Sequence, residues 1–167
     1  ERMQPHVRTL ASQGLGGLGH LGVQFANKMG FKVAVVSRSA AKKDTAMKMG
    51  AHHYIATDTQ NAGEELMKLG GASVALTTVF DAKSMEPMVK GLDRNGTMVV
   101  LGADAGNIPV GPFDLIPKRC SIRGHPSGHA KDSQDCMEFA QLHGIKAKTV
   151  VFPFDKTPEA FKAMMDG

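Results

Sequence analysis

The chain has 167 residues, 42% hydrophobic and 22% charged, with 20 Lys and Arg against 16 Asp and Glu and a formal net charge of +4. That length fits one domain with a sizeable core, and no apolar run approaches the roughly 20 residues of a membrane span. Scattered basic residues with a single tyrosine, Tyr54, argue against a nucleic-acid partner, and two widely spaced cysteines, Cys120 and Cys136, argue against a disulfide framework or a thiolate zinc site.

Cysteine usage of this kind and the lack of a charged-then-apolar leader point to a reducing compartment, by default the cytoplasm. The sequence starts at Glu1, without an initiator Met, and runs into strand-like residues almost at once. The expectation is a piece of something longer.

The first strand is expected near Val7 to Gln13, although Arg8, Ser12 and Gln13 are poor fillers for the middle of a doubly covered sheet. Either the strand is short, or these polar residues find partners in the loop that follows. That loop is Gly14-Leu15-Gly16-Gly17-Leu18-Gly19. Its glycines at 14, 16 and 19 have the G-x-G-x-x-G spacing of a dinucleotide-binding turn: one for the tight bend, one for close approach of backbone to pyrophosphate, one for helix-strand packing.

An amphipathic helix follows, with Leu18, Leu21, Gly22, Phe25, Ala26 and Met29 on one side and His20, Gln24, Asn27 and Lys28 on the other, capped by Gly30. Phe31 to Val36 reads as a parallel strand buried on both faces. The order continues with a helix over Ala40 to Met49, a strand at His53-Tyr54-Ile55, a helix from Asn61 to Leu69 and a strand from Ser73 to Val79. A helix over Ala82 to Lys90 and a turn at Asp93-Arg94-Asn95-Gly96 lead to a fifth strand, Thr97 to Leu101, closed by Gly102. A Gly/Pro-rich loop, a short segment Phe113 to Ile116, a sixth strand near Cys120 to Gly124 and a helix from about Lys131 to His143 complete the alternation. That last helix carries a one-sided apolar surface of Cys136, Met137, Phe139, Ala140 and Leu142. The tail holds Val150 to Phe154 and a helical stretch from Thr157 to Met165. Repeated β-then-α order predicts an α/β fold: a Rossmann doubly wound parallel six-stranded sheet with helices on both faces.

A carboxylate at the end of the second strand would accept hydrogen bonds from the ribose of NAD. Here that place holds Ser37-Arg38-Ser39, with Lys42 and Lys43 a turn further on and no acid before Asp44. Hydroxyls, a guanidinium and ammonium groups suit a phosphorylated ribose, so NADP(H) is expected over NAD(H).

Taken together, the run from Gly14 to Ala26, Ser37-Arg38-Ser39 with Lys42-Lys43, Met49-Gly50-Ala51, Gly96-Thr97 leading to Leu101-Gly102, Pro112 to Ile116, and Gly124 to Ala130 with Asp132-Ser133 resemble the cofactor domain of zinc-dependent alcohol dehydrogenases. These are medium-chain dehydrogenases/reductases of the cinnamyl-alcohol and microbial type. The resemblance covers nearly the whole chain. It implies pyrophosphate contacts at Gly16, Gly17, Leu18 and Gly19, and contacts to the adenosine phosphate at Ser37, Arg38 and Lys42. Thr78 and Val79 would lie beside the adenosine and ribose, and Gly102 and Ala103 would approach the nicotinamide end. It further implies a dinucleotide-binding domain over 1–148, with 149–167 returning toward a catalytic domain that holds zinc and the alcohol or aldehyde, and pairing of two copies through the edge at Ser121 to His125. Ser12-Gln13 and Phe80-Asp81 depart from the family's usual apolar and small residues.

No residue of this chain is expected to be catalytic or to bind metal. His125, His129 and Asp132 are poor zinc ligands because Pro126 and Gly128 break helical spacing, and His52-His53 reads as the start of a strand. Two alternatives stay open: a stand-alone, non-catalytic dinucleotide-binding or interaction module, and the cofactor domain of a zinc-free quinone-type reductase.

Overall fold

The structure is a computed structural model that describes residues 7–166. Six strands form one all-parallel sheet in the order β3-β2-β1-β4-β5-β6. They are β1 (Thr9–Gln13), β2 (Lys32–Ser37), β3 (His53–Ala56), β4 (Ala72–Thr77), β5 (Leu92–Val100) and β6 (Ser121–Gly124). The helices are α1 (Gly19–Lys28), α2 (Lys43–Lys48), α3 (Ala62–Lys68), α4 (Glu86–Lys90), α5 (Pro112–Leu115), α6 (Ala130–His143) and α7 (Thr157–Asp166). This is the expected Rossmann arrangement, and strand order reverses between β1 and β4, where such sheets open a crevice at their carboxyl ends.

The two faces are read from β2. Val33 and Val35 join Leu10, Val23, Ala26 and Ala46 beneath α1 and α2, whereas Ala34 and Val36 join Leu66, Met85, Met88, Val89 and Met98 beneath α3 and α4. Alternation by two thus delivers one strand to two cores. Burying a side chain such as Leu66 or Met88, both fully inaccessible, contributes roughly 1.5–3 kcal/mol each.

Three expectations are corrected. First, α1 buries Gly19, His20, Val23 and Ala26, while Leu18 and Met29, assigned to the apolar side, are 59% and 57% exposed. Small residues let the helix approach closely: a β-carbon on Gly22 would come within 2.9 Å of Leu76. Second, the Asp93 to Gly96 turn lies inside β5. The ladder pairs Ala72 with Leu92 and resumes at Val74 with Thr97, so the extra residues bulge, and Asn95 takes a left-handed φ of 61°. Third, only part of the apolar surface of α6 is covered. Phe139 stacks on Phe25 with ring centroids 5.5 Å apart, but Met137 and Leu142 are 71% and 80% exposed.

From Ala103 to Met165 no residue is buried. No described helix is long and apolar enough to cross a membrane.

Candidate functional site

At the carboxyl ends of β1, β2 and β4 the chain leaves a cleft of about 510 Å³. Its floor is Gln13, Gly14 and Val36. One wall is Ser37, Arg38, Ser39, Lys42 and Thr57, and the opposite wall is Val79, Asp81 and Ser84. The β1–α1 turn frames it. Gly14 has a φ of +93°, and its N–H donates to the Val36 carbonyl at 2.9 Å, which pins the turn to β2. Gly19 must be glycine for another reason: a β-carbon there would collide with the Gly14 carbonyl. Gly16 and Gly17 are exposed, with open space where side chains would project. The α1 N-terminus has no side-chain cap and no acidic residue in its first turn, so its free N–H groups and positive dipole end suit an anion. His20 bonds the Gly16 carbonyl through Nδ1 at 3.0 Å, steadying the loop from beneath.

Of the residues expected at the site, Gly14, Ser37, Arg38, Lys42 and Val79 line the cleft together. Gly16, Gly17, Leu18 and Gly19 lie on the adjoining turn. Thr78 uses its hydroxyl internally, donating to the Gln13 carbonyl at 2.9 Å and locking β4 to β1. Gly102 packs against the Val79 carbonyl so closely that a β-carbon would overlap it, and Ala103 beyond it is exposed.

The cleft also takes in Ser39, which stands in the expected cationic run, and Gln13, Thr57, Asp81 and Ser84, which carry no expected site role. Ser39 begins the turn before α2, where its side chain accepts the Ala41 N–H, and its carbonyl receives the Tyr54 hydroxyl at 2.6 Å. Asp81 turns its carboxylate to the N–H groups of Lys83 and Ser84 at 3.2 and 3.4 Å. Gln13 is 6% exposed; its Nε2 donates to the Ser84 carbonyl at 2.8 Å, and its Oε1 has no partner. Its partner therefore lies after β4 rather than in the glycine loop, and Ser12 finds none: its Oγ is buried and unbonded. The polarity of Ser12 and Gln13 was the signal available in the sequence.

Other polar residues are structural. His52 holds β2 to β3, accepting the Val33 N–H at its Nδ1 at 3.0 Å while its own N–H bonds the Val33 carbonyl. Burial and the nearby Lys32 push the neighbouring His53 below the usual histidine value. His129 accepts the Lys131 N–H at 3.2 Å and Asp132 accepts the His129 N–H at 2.9 Å, so the pair caps α6. Among the described residues, no three His, Cys, Asp or Glu side chains lie close enough together to hold a metal ion. Cys120 and Cys136 are free thiols, and burial raises the Cys120 value.

A glycine turn open to an anion beside a cationic cleft defines a dinucleotide-type crevice. Comparison with known proteins agrees. The family profile described as zinc-binding dehydrogenase matches residues 17–142. An alcohol dehydrogenase, patD, of Penicillium expansum is 45% identical over 98% of this chain and 48% of its own length. An alcohol dehydrogenase, notN, of an Aspergillus species is 38% identical over 95% of this chain and 47% of its own length. The solved cinnamyl alcohol dehydrogenase of Sorghum bicolor superposes with a TM-score of 0.85 at 28% identity, covering 95% of this chain and 45% of that one. The chain belongs to the zinc-binding dehydrogenase family. It spans about half the length of the curated relatives it matches.

Proposed function

We propose that this chain binds NADP(H) for a zinc-dependent alcohol dehydrogenase that interconverts alcohols and aldehydes. The observation that carries the reading is the β2 end of the cleft: Ser37, Arg38, Ser39 and Lys42 line it, and no carboxylate stands on that wall. Asp81 is on the far wall, engaged with backbone amides. The residues fit such a cofactor, since Gly16 and Gly17 leave backbone bare for a diphosphate.

When bound, the nicotinamide ring supplies or accepts the hydride. The chain's own task is binding and orientation. Arg38 and Lys42 neutralise the phosphate on the adenosine ribose, and Ser37 supplies a hydroxyl donor. Gly14, Gly16, Gly17, Leu18 and Gly19 hold the pyrophosphate on the α1 N-terminus. Thr78 and Val79 flank the adenosine side, and Gly102 and Ala103 border the nicotinamide side. We assign zinc and substrate ligands to the part of the relatives' length that this chain does not span, and no step here passes through a metal. Residues 149–167 are read as returning toward that part. The edge of β6, which among the described residues pairs only with β5, is the proposed seam of a homodimer.

Calorimetric titration of the 167-residue chain tests the cofactor assignment. NADPH should bind at least about tenfold tighter than NADH, and Arg38→Ala or Lys42→Ala should erase most of that preference while leaving NADH affinity within about twofold. Equal affinity of the wild-type chain for both coenzymes would overturn it.

A further inference from the structure

The Gly16 carbonyl receives two hydrogen bonds from one residue. The backbone N–H of His20 donates to it at 3.1 Å, and the ring Nδ1 of His20 lies 3.0 Å from it. A carbonyl can only accept, so the ring carries its proton on Nδ1, which leaves Nε2 to accept the Lys148 N–H at 3.0 Å. Turning the ring over would put carbon atoms at both contacts, so this buried side chain has one orientation and one neutral tautomer.

The Gly16 carbonyl and the Gly17 N–H belong to the same trans peptide, in which they point in opposite directions. Drawing the carbonyl along the α1 axis toward His20 therefore turns the Gly17 N–H outward from the amino end of the helix. That N–H makes no hydrogen bond among the described residues. Gly17 is exposed, with open space where a side chain would stand. Helix ends fray, and the ring supplies a second donor to the carbonyl that the first helical bond alone would hold.

We infer that His20 is a positioning residue for the dinucleotide, its ring aiming the Gly17 N–H at the diphosphate and carrying the effect of that bond to Lys148. This rests on the cofactor reading above and deepens it. The series runs from an anionic oxygen to the Gly17 N–H, through the peptide to the Gly16 carbonyl and the Nδ1 proton, then across the imidazole from Nε2 to the Lys148 N–H. An anion at the first member polarises the peptide and makes its carbonyl a better acceptor. The Nδ1 proton is drawn toward it, Nε2 becomes more basic, and each bond strengthens the next.

Calorimetry on the 167-residue chain separates aiming from packing. NADPH and NADH carry the diphosphate, and adenosine 2′-phosphate does not. His20→Ala should weaken both coenzymes alike, by about fivefold to tenfold, and leave adenosine 2′-phosphate within about twofold. In His20→Asn the side-chain amide nitrogen takes the place of Nδ1, so the donor to Gly16 returns without an acceptor for Lys148. Coenzyme affinity should then recover to within about twofold of wild type. On saturation with NADPH, the wild-type Lys148 amide should gain hydrogen-exchange protection relative to the Lys146 amide, and in His20→Asn it should not. The wild-type comparison holds even where a variant folds poorly. Equal loss for all three ligands in His20→Ala, no recovery in His20→Asn, or a Lys148 to Lys146 protection ratio unmoved by NADPH would overturn the inference while the cofactor reading stands. A wild-type chain that binds neither coenzyme would bring down both.

Discussion

The imidazole of His20 accepts the backbone N–H of Lys148 at its Nε2, 3.0 Å away and 128 positions along the chain. Its Nδ1 faces the Gly16 carbonyl, an acceptor, so the ring carries its proton on Nδ1. One buried side chain thereby ties the glycine loop to the segment that follows α6. Gln24, a turn further along α1, holds Lys146 twice: its Nε2 donates to the Lys146 carbonyl at 3.0 Å and its Oε1 accepts the Lys146 N–H at 3.3 Å.

His20→Ala should therefore uncouple the two segments unevenly. The Lys148 amide is expected to lose at least about tenfold in hydrogen-exchange protection, whereas the Lys146 amide, still held by Gln24, keeps its own. Residue-resolved exchange of the wild-type chain and His20→Ala checks this, and equal loss at both positions would contradict the separate anchoring.

Ser12 presents the opposite case, a buried hydroxyl with no function in the cleft. It is 0% exposed, on the α1 face of β1, with Oγ unbonded. Ser12→Ala should raise stability by about 1 kcal/mol, because the desolvated oxygen is removed without opening a large cavity. Urea unfolding should show a higher midpoint with an unchanged slope.

Asp104 gives the fold an acid-sensitive contact. Its carboxylate accepts the Ala82 N–H at 2.7 Å and the Gly106 N–H at 3.2 Å, and these backbone donors hold it below the ordinary aspartate value. A depressed folded value means that the carboxylate's contribution is complete above the unfolded value of about 3.9 and is lost as pH falls through the folded one. Asp104→Asn should lower stability at neutral pH by an amount that shrinks toward zero in strong acid. Unfolding midpoints of both chains across the acid range measure the convergence, and a constant gap at every pH would refute it.

Local pattern made β2, the glycine turn and the cationic β2 end readable in sequence, because each is set by neighbours in the chain: alternating buried residues, required positive φ at Gly14, and charges clustered within one turn of helix. What escaped depends on distant partners. Asp93 to Gly96 has turn chemistry, yet pairing with β4 on either side of it absorbs it into β5 as a bulge. His20 reads as the polar side of α1 until its two partners at Gly16 and Lys148 are known. Gln13 reads as a strand defect because Ser84, which orients it, is 71 positions away. The apolar stripe of α6 is a true helical pattern, but periodicity does not say what covers it.

A protease probing the native chain would meet two different materials. Between Thr9 and Gly102 the strands and helices are packed on two interiors, and cutting within them demands that those cores open. Beyond Gly102, every described side chain touches solvent to some degree, and β6 is secured by its ladder to β5 and the Thr97–Ser121 hydroxyl bond at 2.9 Å. The final third is thus fastened to the body at discrete points, the β6 ladder and the His20 and Gln24 bonds to Lys148 and Lys146, and its exposed stretches are where digestion should begin.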